Sequence, residues 1–487
     1  MEQIEVRETI AAVSTAPGVG GIAVIRVSGP KAIDIVNSAW KGIDLKNVKS
    51  HSAHLGKYFS VDGNLIDEAV ATVFISPASF TGEDIVELSV HGSSWIQREL
   101  LSDLVKRGAK IAEPGEFTQR AFLNGKIDLA QAEGVADLIA SSSKAAHDLA
   151  ITQTKGTFSK EFNLLREKLI EFASLLELEL DFSEEDVEFA DRSALVSLCE
   201  EILTKVNKLA SSYSQGAVLK NGIPVVIAGI PNAGKSSLLN LLVNDEKAIV
   251  TDVPGTTRDI IEDTMEINGI LYRFIDTAGL RDTTDLVEGI GVNRAKEALE
   301  KAYIVIWVID PTVDLPSQYK ELNKFLQKNP QKHLIVLLNK SDLGETTIVT
   351  AQHNSNSNET TFPVSQNFEI IKIPFSTKTK SGLSELLKAL QSYATAGQNP
   401  ESDIIVTNAR HYEALLNASL ALKRALSSLK ESQEIPDSEQ DYLGSYQSSD
   451  LIAQDIREAI THLSTITGSI TTTDLLHSIF SRFCIGK

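Results

Sequence analysis

Near the middle of the chain lies Gly229-Ile230-Pro231-Asn232-Ala233-Gly234-Lys235-Ser236, and this segment decides the fold of what surrounds it. An apolar run at residues 223–228 precedes the segment, and a leucine-rich run at residues 238–242 follows it. A buried strand therefore leads through a glycine-bounded loop into a helix, which is the setting of a phosphate-binding P-loop. Backbone N–H groups and the helix N-terminus would surround the phosphates. The motif predicts Lys235 on the β- and γ-phosphates and Ser236 on Mg²⁺.

Two later motifs predict that the bound nucleotide carries guanine. Asn339-Lys340-Ser341-Asp342 follows an apolar strand at residues 333–338, and its aspartate can accept hydrogen bonds from guanine N1–H and the 2-amino group. Adenine offers no such donor pair, so the motif favours GTP over ATP. Ser376-Thr377-Lys378 follows the next apolar run, residues 371–375, and is expected to bring its backbone to guanine O6.

Two further segments predict a magnesium site and a sensor of the γ-phosphate. Asp276-Thr277-Ala278-Gly279 follows a strand, so its aspartate can hold a Mg²⁺ water and its glycine N–H can contact the γ-phosphate. In Gly255-Thr256-Thr257-Arg258-Asp259, which lies where a switch loop is expected, Thr257 is the predicted second Mg²⁺ ligand beside Ser236. Five motifs in this order predict a GTPase domain. The residues predicted to bind GTP are Asn232, Ala233, Gly234, Lys235, Ser236, Ser237, Thr251, Thr256, Thr257, Asp276, Thr277, Ala278, Gly279, Asn339, Lys340, Asp342, Ser376, Thr377 and Lys378.

Composition and charge limit the class of protein and its partners. A chain of 487 residues is long enough for about three domains. Lys and Arg number 46 against 65 Asp and Glu, and the net charge of −19 argues against a broad basic surface for nucleic acid. Any RNA contact is therefore expected to be local or shared with a partner. No secretion leader and no apolar run of about 18 residues is recognisable, so we expect a cytoplasmic protein that does not enter the membrane.

The first 122 residues have the pattern of a small α+β module. Apolar alternation predicts strands over residues 10–15, 22–27, 69–75 and 85–90, and helices over residues 30–40 and 95–107. The glycine-rich Gly18-Val19-Gly20-Gly21 leads into a strand instead of a helix. A dinucleotide site is therefore not expected in this loop.

Long helical stretches flank the nucleotide domain in sequence. We expect one helical domain, residues 123–220 and 389–487, into which an α/β domain at residues 221–388 is inserted. Apolar residues spaced by four and three predict a helix packed in a bundle, and they are Phe158, Phe162, Leu165, Leu169, Phe172 and Leu176. A second stripe, on a helix predicted over residues 449–466, comprises Leu451, Ile452, Ile456, Ala459, Ile460 and Leu463.

The C-terminal part carries several local signals. A helix is predicted over residues 408–429, Gly468 is expected to cap the helix at 449–466, and Thr473 is expected to cap a last helix over residues 474–483. Polar composition predicts loose segments at residues 353–366 and 431–448. The two cysteines, Cys199 and Cys484, are too few for a disulfide framework or a zinc site.

Leu280 occupies the position at which Ras-like GTPases carry a water-orienting glutamine, so hydrolysis needs another device. Several residues and motifs together point to a known family: Asn232, TDVPGTTRD at residues 251–259, VEGIG at 287–291, Arg26, SFTGED at 79–84, PGEF at 114–117, AFLNGKIDLAQAE at 121–133 and the terminal FCIGK at 483–487. Through these motifs the chain resembles the MnmE/TrmE family of tRNA-modification GTPases. The resemblance extends over essentially the whole chain.

For the nucleotide domain, the resemblance implies a potassium-activated GTPase whose domains meet as a dimer. K⁺ would be held by Asn232, Thr251, Val253 and Thr256, and would supply the positive charge that an arginine finger gives elsewhere. Glu288 would orient the attacking water, while Lys235 holds the phosphates as the other catalytic residue. Without the family, Glu288 would be interpreted as a solvated carboxylate at the start of a helix.

For the first module, the resemblance implies dimerisation and binding of 5,10-methylenetetrahydrofolate or a related folate as one-carbon donor. Arg26, Glu87, Lys126 and Lys487 match the family's folate-contacting positions. Glu87 could accept hydrogen bonds from the N–H groups of the pterin. The cationic side chains could bind the carbonyl and carboxylate groups of the folate. Without the family, Arg26 and Lys126 would pass for surface residues and Glu87 for an alternating strand residue.

Taken together, the resemblance implies a homodimer that joins an FAD-dependent partner of the MnmG/GidA type in a heterotetramer. The assembly would add an aminomethyl or carboxymethylaminomethyl group to C5 of the wobble uridine of certain tRNAs. Two alternatives stay open: an Era-like ribosome-assembly GTPase, and a dimerising scaffold GTPase without one-carbon chemistry. Folate binding would separate both from the tRNA-modification hypothesis.

Overall fold

The computed structural model describes residues 8–181, 192–243, 263–275, 298–330, 332–343, 370–395, 404–434, 442–481 and 483–486. The chain divides into two compact units. Unit 1 comprises Met1–Ile139, Ile151–Asn207 and Glu413–Lys487, and unit 2 comprises Ala140–Ala150 and Lys208–Tyr412. Within the described ranges, no helix has the length and apolar character needed to cross a bilayer.

Unit 1 contains a sheet to which seven of the described strands contribute, in the order β3-β4-β5-β6-β2-β1-β7. The strands are β1 (Ile10–Val13), β2 (Ile22–Ser28), β3 (Trp40–Lys41), β4 (Ser52–Phe59), β5 (Leu65–Phe74), β6 (Ile85–His91) and β7 (Lys110–Ile111). Helices α1 (Ala32–Ala39) and α2 (Ser94–Lys106) pack on the face that carries Ile25 and Leu88. Because side chains alternate along a strand, Arg26 and Glu87 lie on the opposite face.

The strands and helices predicted for the first module are confirmed, with shifted ends. Strand β4 was not predicted, because its residues Ser-Ala-His-Leu-Gly-Lys-Tyr-Phe lack a clear apolar alternation. Its Gly56 is buried beneath the ring of Trp40, and a Cβ atom there would lie 2.4 Å from Trp40 Cζ2. The glycine that weakens the strand signal is therefore needed to make room for a core tryptophan.

The other described elements of unit 1 are mainly α-helices. They are α3 (Glu116–Leu123), α4 (Leu129–Ala140), α5 (Lys144–Thr154), α6 (Thr157–Asp181), α7 (Arg192–Ser211), α12 (Ala409–Glu434), α13 (Tyr442–Thr467) and α14 (Thr473–Phe480), of which α4, α5, α7 and α12 also extend into unit 2. The stripe from Phe158 to Leu176 on α6 is buried as predicted. Helix α6 packs against α13, and Arg166 Nε donates to Ser464 Oγ at 3.1 Å.

The structure corrects several predictions for the C-terminal helices. Leu451 is 58% exposed, and Ala453 occupies the buried position of that stripe instead. The last helix is capped by Thr472, whose hydroxyl accepts a hydrogen bond from Leu475 N, while Thr473 is its first helical residue. That helix ends at Phe480, earlier than predicted, and Phe483 beyond it packs on the apolar cluster that contains Leu129 and Phe480.

Gly468 follows α13 with φ of +82°, as a C-terminal cap requires. The segment 431–448, predicted to be loose, is helical where the structure describes it: α12 runs to Glu434 and α13 begins at Tyr442. At the end of α12 the good helix formers Glu431, Gln433 and Glu434 extend the helix beyond its apolar stripe, so the apolar pattern underestimates its length. The segment 353–366 lies outside the described residues.

Unit 2 contains a second sheet, in the order β13-β12-β11-β8-β10-β9, that is parallel except for β9 against β10. Its described strands are β8 (Ile223–Ala228), β9 (Asp263–Ile267), β10 (Ile270–Phe274), β11 (Ile304–Ile309), β12 (His333–Leu338) and β13 (Ile370–Pro374). The described helices of this unit include α8 (Tyr213–Asn221), α9 (Lys235–Val243), α10 (Leu315–Lys328) and α11 (Leu383–Thr395).

Strand β11 is buried along its whole length, because apolar clusters cover both faces of the sheet. Ile304, Ile306 and Val308 face one cluster, and Val305 and Trp307 face the other. Buried parallel strands of this kind place their loops at the carboxyl edge of the sheet, where ligands bind. The architecture is the predicted multidomain one, with an N-terminal α+β module, helices on both sides in sequence and an α/β P-loop domain. The bounds 1–122, 123–220, 221–388 and 389–487 stay a prediction.

Candidate functional site

The P-loop has the backbone conformation that the sequence predicts. Gly229 follows β8 with φ of +138°, and a Cβ atom there would lie 2.2 Å from the Val308 carbonyl oxygen. Gly234 has φ of +100°, and a Cβ atom there would lie 2.2 Å from Asn339 Nδ2. Asn232 adopts a left-handed φ of +62°. Helix α9 begins at Lys235. Both glycines are therefore required by conformation and by space.

Lys235 directs its ammonium group into this loop. Nζ donates to the carbonyl oxygens of Gly229 at 3.0 Å and Ile230 at 2.8 Å. Burial lowers the pKa of Lys235, since desolvation penalises the charged form. A phosphate next to the ammonium would favour that charged form. The geometry therefore agrees with a phosphate-binding role for Lys235. Ser236 is half-buried in the first turn of α9, and Ser237 is exposed.

Asn339 joins three of the predicted motifs. The side chain is buried, and its Nδ2 donates to the Ala233 carbonyl oxygen of the P-loop at 2.7 Å. Its Oδ1 accepts a hydrogen bond from Thr377 N at 3.2 Å. The asparagine therefore fixes the phosphate-binding loop and the Ser376-Thr377-Lys378 loop in one arrangement.

The predicted guanine-reading carboxylate is held at the rim of this arrangement. Asp342 is exposed, and its Oδ1 accepts a hydrogen bond from Ser376 Oγ at 2.7 Å. Ser376 is itself buried, and its Oγ accepts a hydrogen bond from Thr379 N at 3.2 Å. Asp342 Oδ2 accepts no hydrogen bond from the described residues. An oriented carboxylate with a free oxygen at an open edge suits the N–H donors of a guanine base.

Part of the predicted nucleotide site lies outside the described residues: Thr251, Val253, Thr256, Thr257, Asp276, Thr277, Ala278, Gly279 and Glu288. Of the predicted cation ligands, Asn232 and Ser236 are described. Asn232 lies in the P-loop and Ser236 in the first turn of α9. Their amide and hydroxyl oxygens are of the kind that hard cations take as ligands. Among the described residues, no group of three or more His, Cys, Asp or Glu is arranged to hold a metal ion.

Asp310 is a residue of this site that the sequence reasoning missed. It follows β11 directly, is buried, and pairs with Lys340 of the guanine motif through Oδ2 and Nζ at 2.5 Å. A carboxylate immediately after a wholly apolar strand and before Pro311 is a signal that could have been noticed.

In unit 1, Arg26 and Glu87 lie opposite each other on β2 and β6. Arg26 Nε and Nη2 both approach Glu87 Oε1 at 2.8 Å. The guanidinium lies 5.6 Å from the Phe80 ring centre and 5.5 Å from that of Phe117. Glu87 Oε2 accepts no hydrogen bond from the described residues. Lys126 Nζ donates to the Pro77 carbonyl oxygen at 3.0 Å, and Lys487 lies outside the described residues.

A buried polar network lies beside this pair and was also missed. Arg120 Nη1 donates to Glu83 Oε2 at 3.1 Å, and Arg120 Nη2 donates to Glu116 Oε1 at 2.7 Å. Ser28 Oγ contacts both Glu83 Oε2 and Thr81 Oγ1 at 2.8 Å. The network joins the segments that carry Phe80 and Phe117, so it supports both aromatic walls around Arg26.

The C-terminal tail lies against the same sheet. Gly115 N donates to the Cys484 carbonyl oxygen at 3.4 Å, and Ser14 Oγ donates to that of Gly486 at 3.0 Å. A Cβ atom on Gly486 would lie 2.2 Å from the Val13 carbonyl oxygen, so the tail reaches the end of β1. Cys484 is exposed. Strand β1 neighbours β2, which carries Arg26.

A glycine-bounded loop before a helix, with an oriented Asn and Asp at the carboxyl edge of a parallel sheet, defines a P-loop protein of the guanine-nucleotide-binding class. Two family models match the chain: the MnmE helical domain over residues 129–484, and the GTP-binding protein TrmE N-terminus over residues 9–126. The chain belongs to the MnmE family.

Individual relatives agree with this assignment. A protein of Cytophaga hutchinsonii named tRNA modification GTPase MnmE is 47% identical over 99% of this chain and 98% of its own length. A Parabacteroides distasonis protein of the same name is 47% identical over 98% of this chain and 100% of its length. Among solved structures, the G domain of the T. maritima FeoB iron transporter is 24% identical, covers 35% of this chain and 98% of its own, and has a TM-score of 0.25, too low to bear on the fold.

Proposed function

We propose that this chain hydrolyses GTP and couples that hydrolysis to tRNA modification. The main support is that the Asn339 side chain is hydrogen-bonded to both the P-loop and Thr377. Beside it, Ser376 orients the Asp342 carboxylate. This arrangement brings the phosphate-binding and guanine-reading elements together. The name shared by relatives that match the chain over nearly its whole length supports the coupling to tRNA.

We propose that K⁺ and Mg²⁺ assist hydrolysis. Mg²⁺ would be bound by Ser236 and Thr257, and K⁺ by Asn232 with oxygens of Thr251, Val253 and Thr256. A cation beside the phosphates stabilises negative charge that develops during phosphoryl transfer. Lys235 would bind the phosphates, and Glu288 would orient the attacking water. The exposed position of Asn232 in the P-loop supports its part in this proposal.

For the N-terminal module we propose a folate site around Arg26 and Glu87. The arginine occupies only one oxygen of the Glu87 carboxylate, so Glu87 Oε2 could accept a pterin N–H. Phe80, at the edge of this site, is 38% exposed and could stack on the pterin ring. Lys126 and Lys487 would bind the carbonyl and carboxylate groups of the folate.

We further propose that the chain works as a homodimer and joins an FAD-dependent MnmG/GidA-type protein in a cytoplasmic heterotetramer. The folate, 5,10-methylenetetrahydrofolate or a relative, would supply the carbon that becomes part of the C5 substituent of the wobble uridine. The flavin of the partner would carry out the redox step. A net charge of −19 supports a partner that carries most of the tRNA-binding surface.

The test combines GTP turnover with folate binding on the full chain. Phosphate release is measured in KCl and in NaCl at equal ionic strength, and 5-formyltetrahydrofolate is titrated by calorimetry into wild type and Arg26→Ala. Turnover that requires K⁺, with saturable folate binding lost in the variant, supports the proposal. Turnover without folate binding would favour the scaffold GTPase, and a folded chain without GTP turnover would refute the proposal.

A further inference from the structure

Asp310 is held rigidly where two neighbouring strands of the nucleotide domain end. Its backbone N–H donates to Gln318 Oε1 at 3.1 Å, and Gln318 Nε2 donates to its carbonyl oxygen at 2.9 Å. Asn339 N donates to the Ile309 carbonyl oxygen at 2.9 Å, so Asp310 lies beside the start of the guanine motif. The backbone of Asp310 is therefore fixed by helix α10 as well as by the sheet.

The carboxylate of Asp310 is held as firmly as its backbone. Oδ1 accepts hydrogen bonds from Thr312 N at 3.0 Å and Thr312 Oγ1 at 2.6 Å, and Oδ2 accepts one from Lys340 Nζ at 2.5 Å. Burial by itself would raise the pKa of Asp310, but the hydrogen bonds from Lys340 and Thr312 outweigh it and lower the pKa. Both oxygens of the carboxylate are therefore hydrogen-bonded, and the lowered pKa keeps the group ionised beside the lysine.

Lys340 and Asp342 are oppositely charged and stand two residues apart in the guanine motif. Lys340 has a left-handed φ of +61°, and its side chain is one-third exposed, so the backbone turns sharply between the two charges. A flexible ammonium group in this position would be attracted to the nearest carboxylate. In the structure the lysine binds Asp310, and Asp342 binds Ser376.

We propose that Asp310 is a positioning residue for guanine recognition: by holding the Lys340 ammonium away from Asp342, it leaves that carboxylate for the N1–H and 2-amino group of the base. This inference rests on the proposed GTP-binding function. It differs from a general stabilising role in one respect. A Lys340 released from Asp310 would compete with the 2-amino group for Asp342. The resulting loss of affinity should therefore be larger for GTP than for inosine triphosphate, which lacks that group.

The test uses Asp310→Asn in the full chain. The asparagine keeps an oxygen for Thr312 but turns an N–H towards Lys340, so the lysine loses its anchor. Fluorescent GDP is displaced from the protein by GTP and by inosine triphosphate in the presence of Mg²⁺. GTP affinity should fall by about tenfold or more, inosine triphosphate affinity should fall less, and the preference for GTP should shrink.

A double-mutant cycle identifies the route of the effect. In a Lys340→Met background the ammonium group of Lys340 is absent, so adding Asp310→Asn should leave the ratio of the two affinities unchanged. Asp314→Asn is the matched control, because Asp314 lies in the same loop and caps α10 at Ser317 N without contacting Lys340. This control should bind both nucleotides as wild type does.

Three outcomes are informative. If the ratio of GTP affinity to inosine triphosphate affinity is the same in Asp310→Asn as in wild type, the inference is overturned. The proposed GTP-binding function would then still stand. Failure of the wild-type chain to bind GTP would refute the proposed function instead. Where Asp310→Asn does not fold, as judged by circular dichroism, Thr312→Val removes one donor from the same carboxylate, and it should reduce the preference for GTP to a smaller extent.

Discussion

Asn339 Nδ2 donates a hydrogen bond to the Ala233 carbonyl oxygen at 2.7 Å and so joins two motifs that lie 106 residues apart in sequence. The carbonyl belongs to the turn that would enclose the phosphates, and the asparagine belongs to the motif that would read the base. A buried bond of this kind couples the shape of the phosphate loop to that of the base-binding loop.

Replacing Asn339 with Ala should weaken binding of both GTP and GDP by about 10- to 100-fold. The change leaves Ala233 O and Thr377 N without their partner, and an unsatisfied buried polar group costs about 1–3 kcal/mol. Equilibrium titration with fluorescent GDP checks the affinity. Asn329→Ala, at the C-terminus of α10, is the matched control and should bind normally. Wild-type affinity in Asn339→Ala would show that the two loops are independent.

Gly234→Ala should abolish measurable nucleotide binding. The added Cβ atom would lie 2.2 Å from Asn339 Nδ2, at a φ of +100° that alanine disfavours. Gly63→Ala separates the two causes, because Gly63 has φ of +82° but nothing within 4 Å of the added atom. The control should lose about 1 kcal/mol of unfolding free energy in urea and keep nucleotide binding. Normal binding by Gly234→Ala would contradict the close approach of the two loops.

Arg120→Met should lower the unfolding free energy by about 1.5–3 kcal/mol, because it removes the charged hydrogen-bond partner that the partly buried carboxylates of Glu83 and Glu116 share. Arg457→Met is the matched control, since Arg457 pairs with Glu177 in an exposed ion pair that is worth about 0–1 kcal/mol. Urea denaturation of both variants measures the difference. Equal effects would mean that the Arg120 network is not buried in solution.

The two cysteines should react at very different rates with a thiol reagent. Burial, assisted by Glu200, raises the pKa of Cys199 to about 11, whereas Cys484 is exposed. At pH 8 the Cys199 thiolate is therefore about one part in a thousand, and its rate should rise with pH up to about 11. A thiol titration of the native chain should show one fast group, which is lost in Cys484→Ser. Two fast groups at pH 8 would contradict the burial of Cys199.

The prediction of secondary structure succeeded where side-chain periodicity carries the signal and failed where packing decides. The stripe from Phe158 to Leu176 is buried as expected because one helical face meets another helix. Leu451 is exposed although it continues an apolar pattern, because the helix turns that position towards solvent and buries Ala453 instead. Which apolar residue faces the bundle depends on the neighbouring helix, which the sequence of one helix does not encode.

The sequence by itself determined the P-loop, the guanine-reading motifs and the family, because each depends on residue types at short and fixed spacings. Only the tertiary structure decided which distant residues meet. Three contacts join segments that are 30 or more residues apart: the Asp310–Lys340 pair, the Arg120–Glu83 pair and the hydrogen bond of Ser14 to the C-terminal tail. Such contacts follow from the order of strands in a sheet and from burial, which bring together charges and hydrogen-bond partners that no local pattern connects.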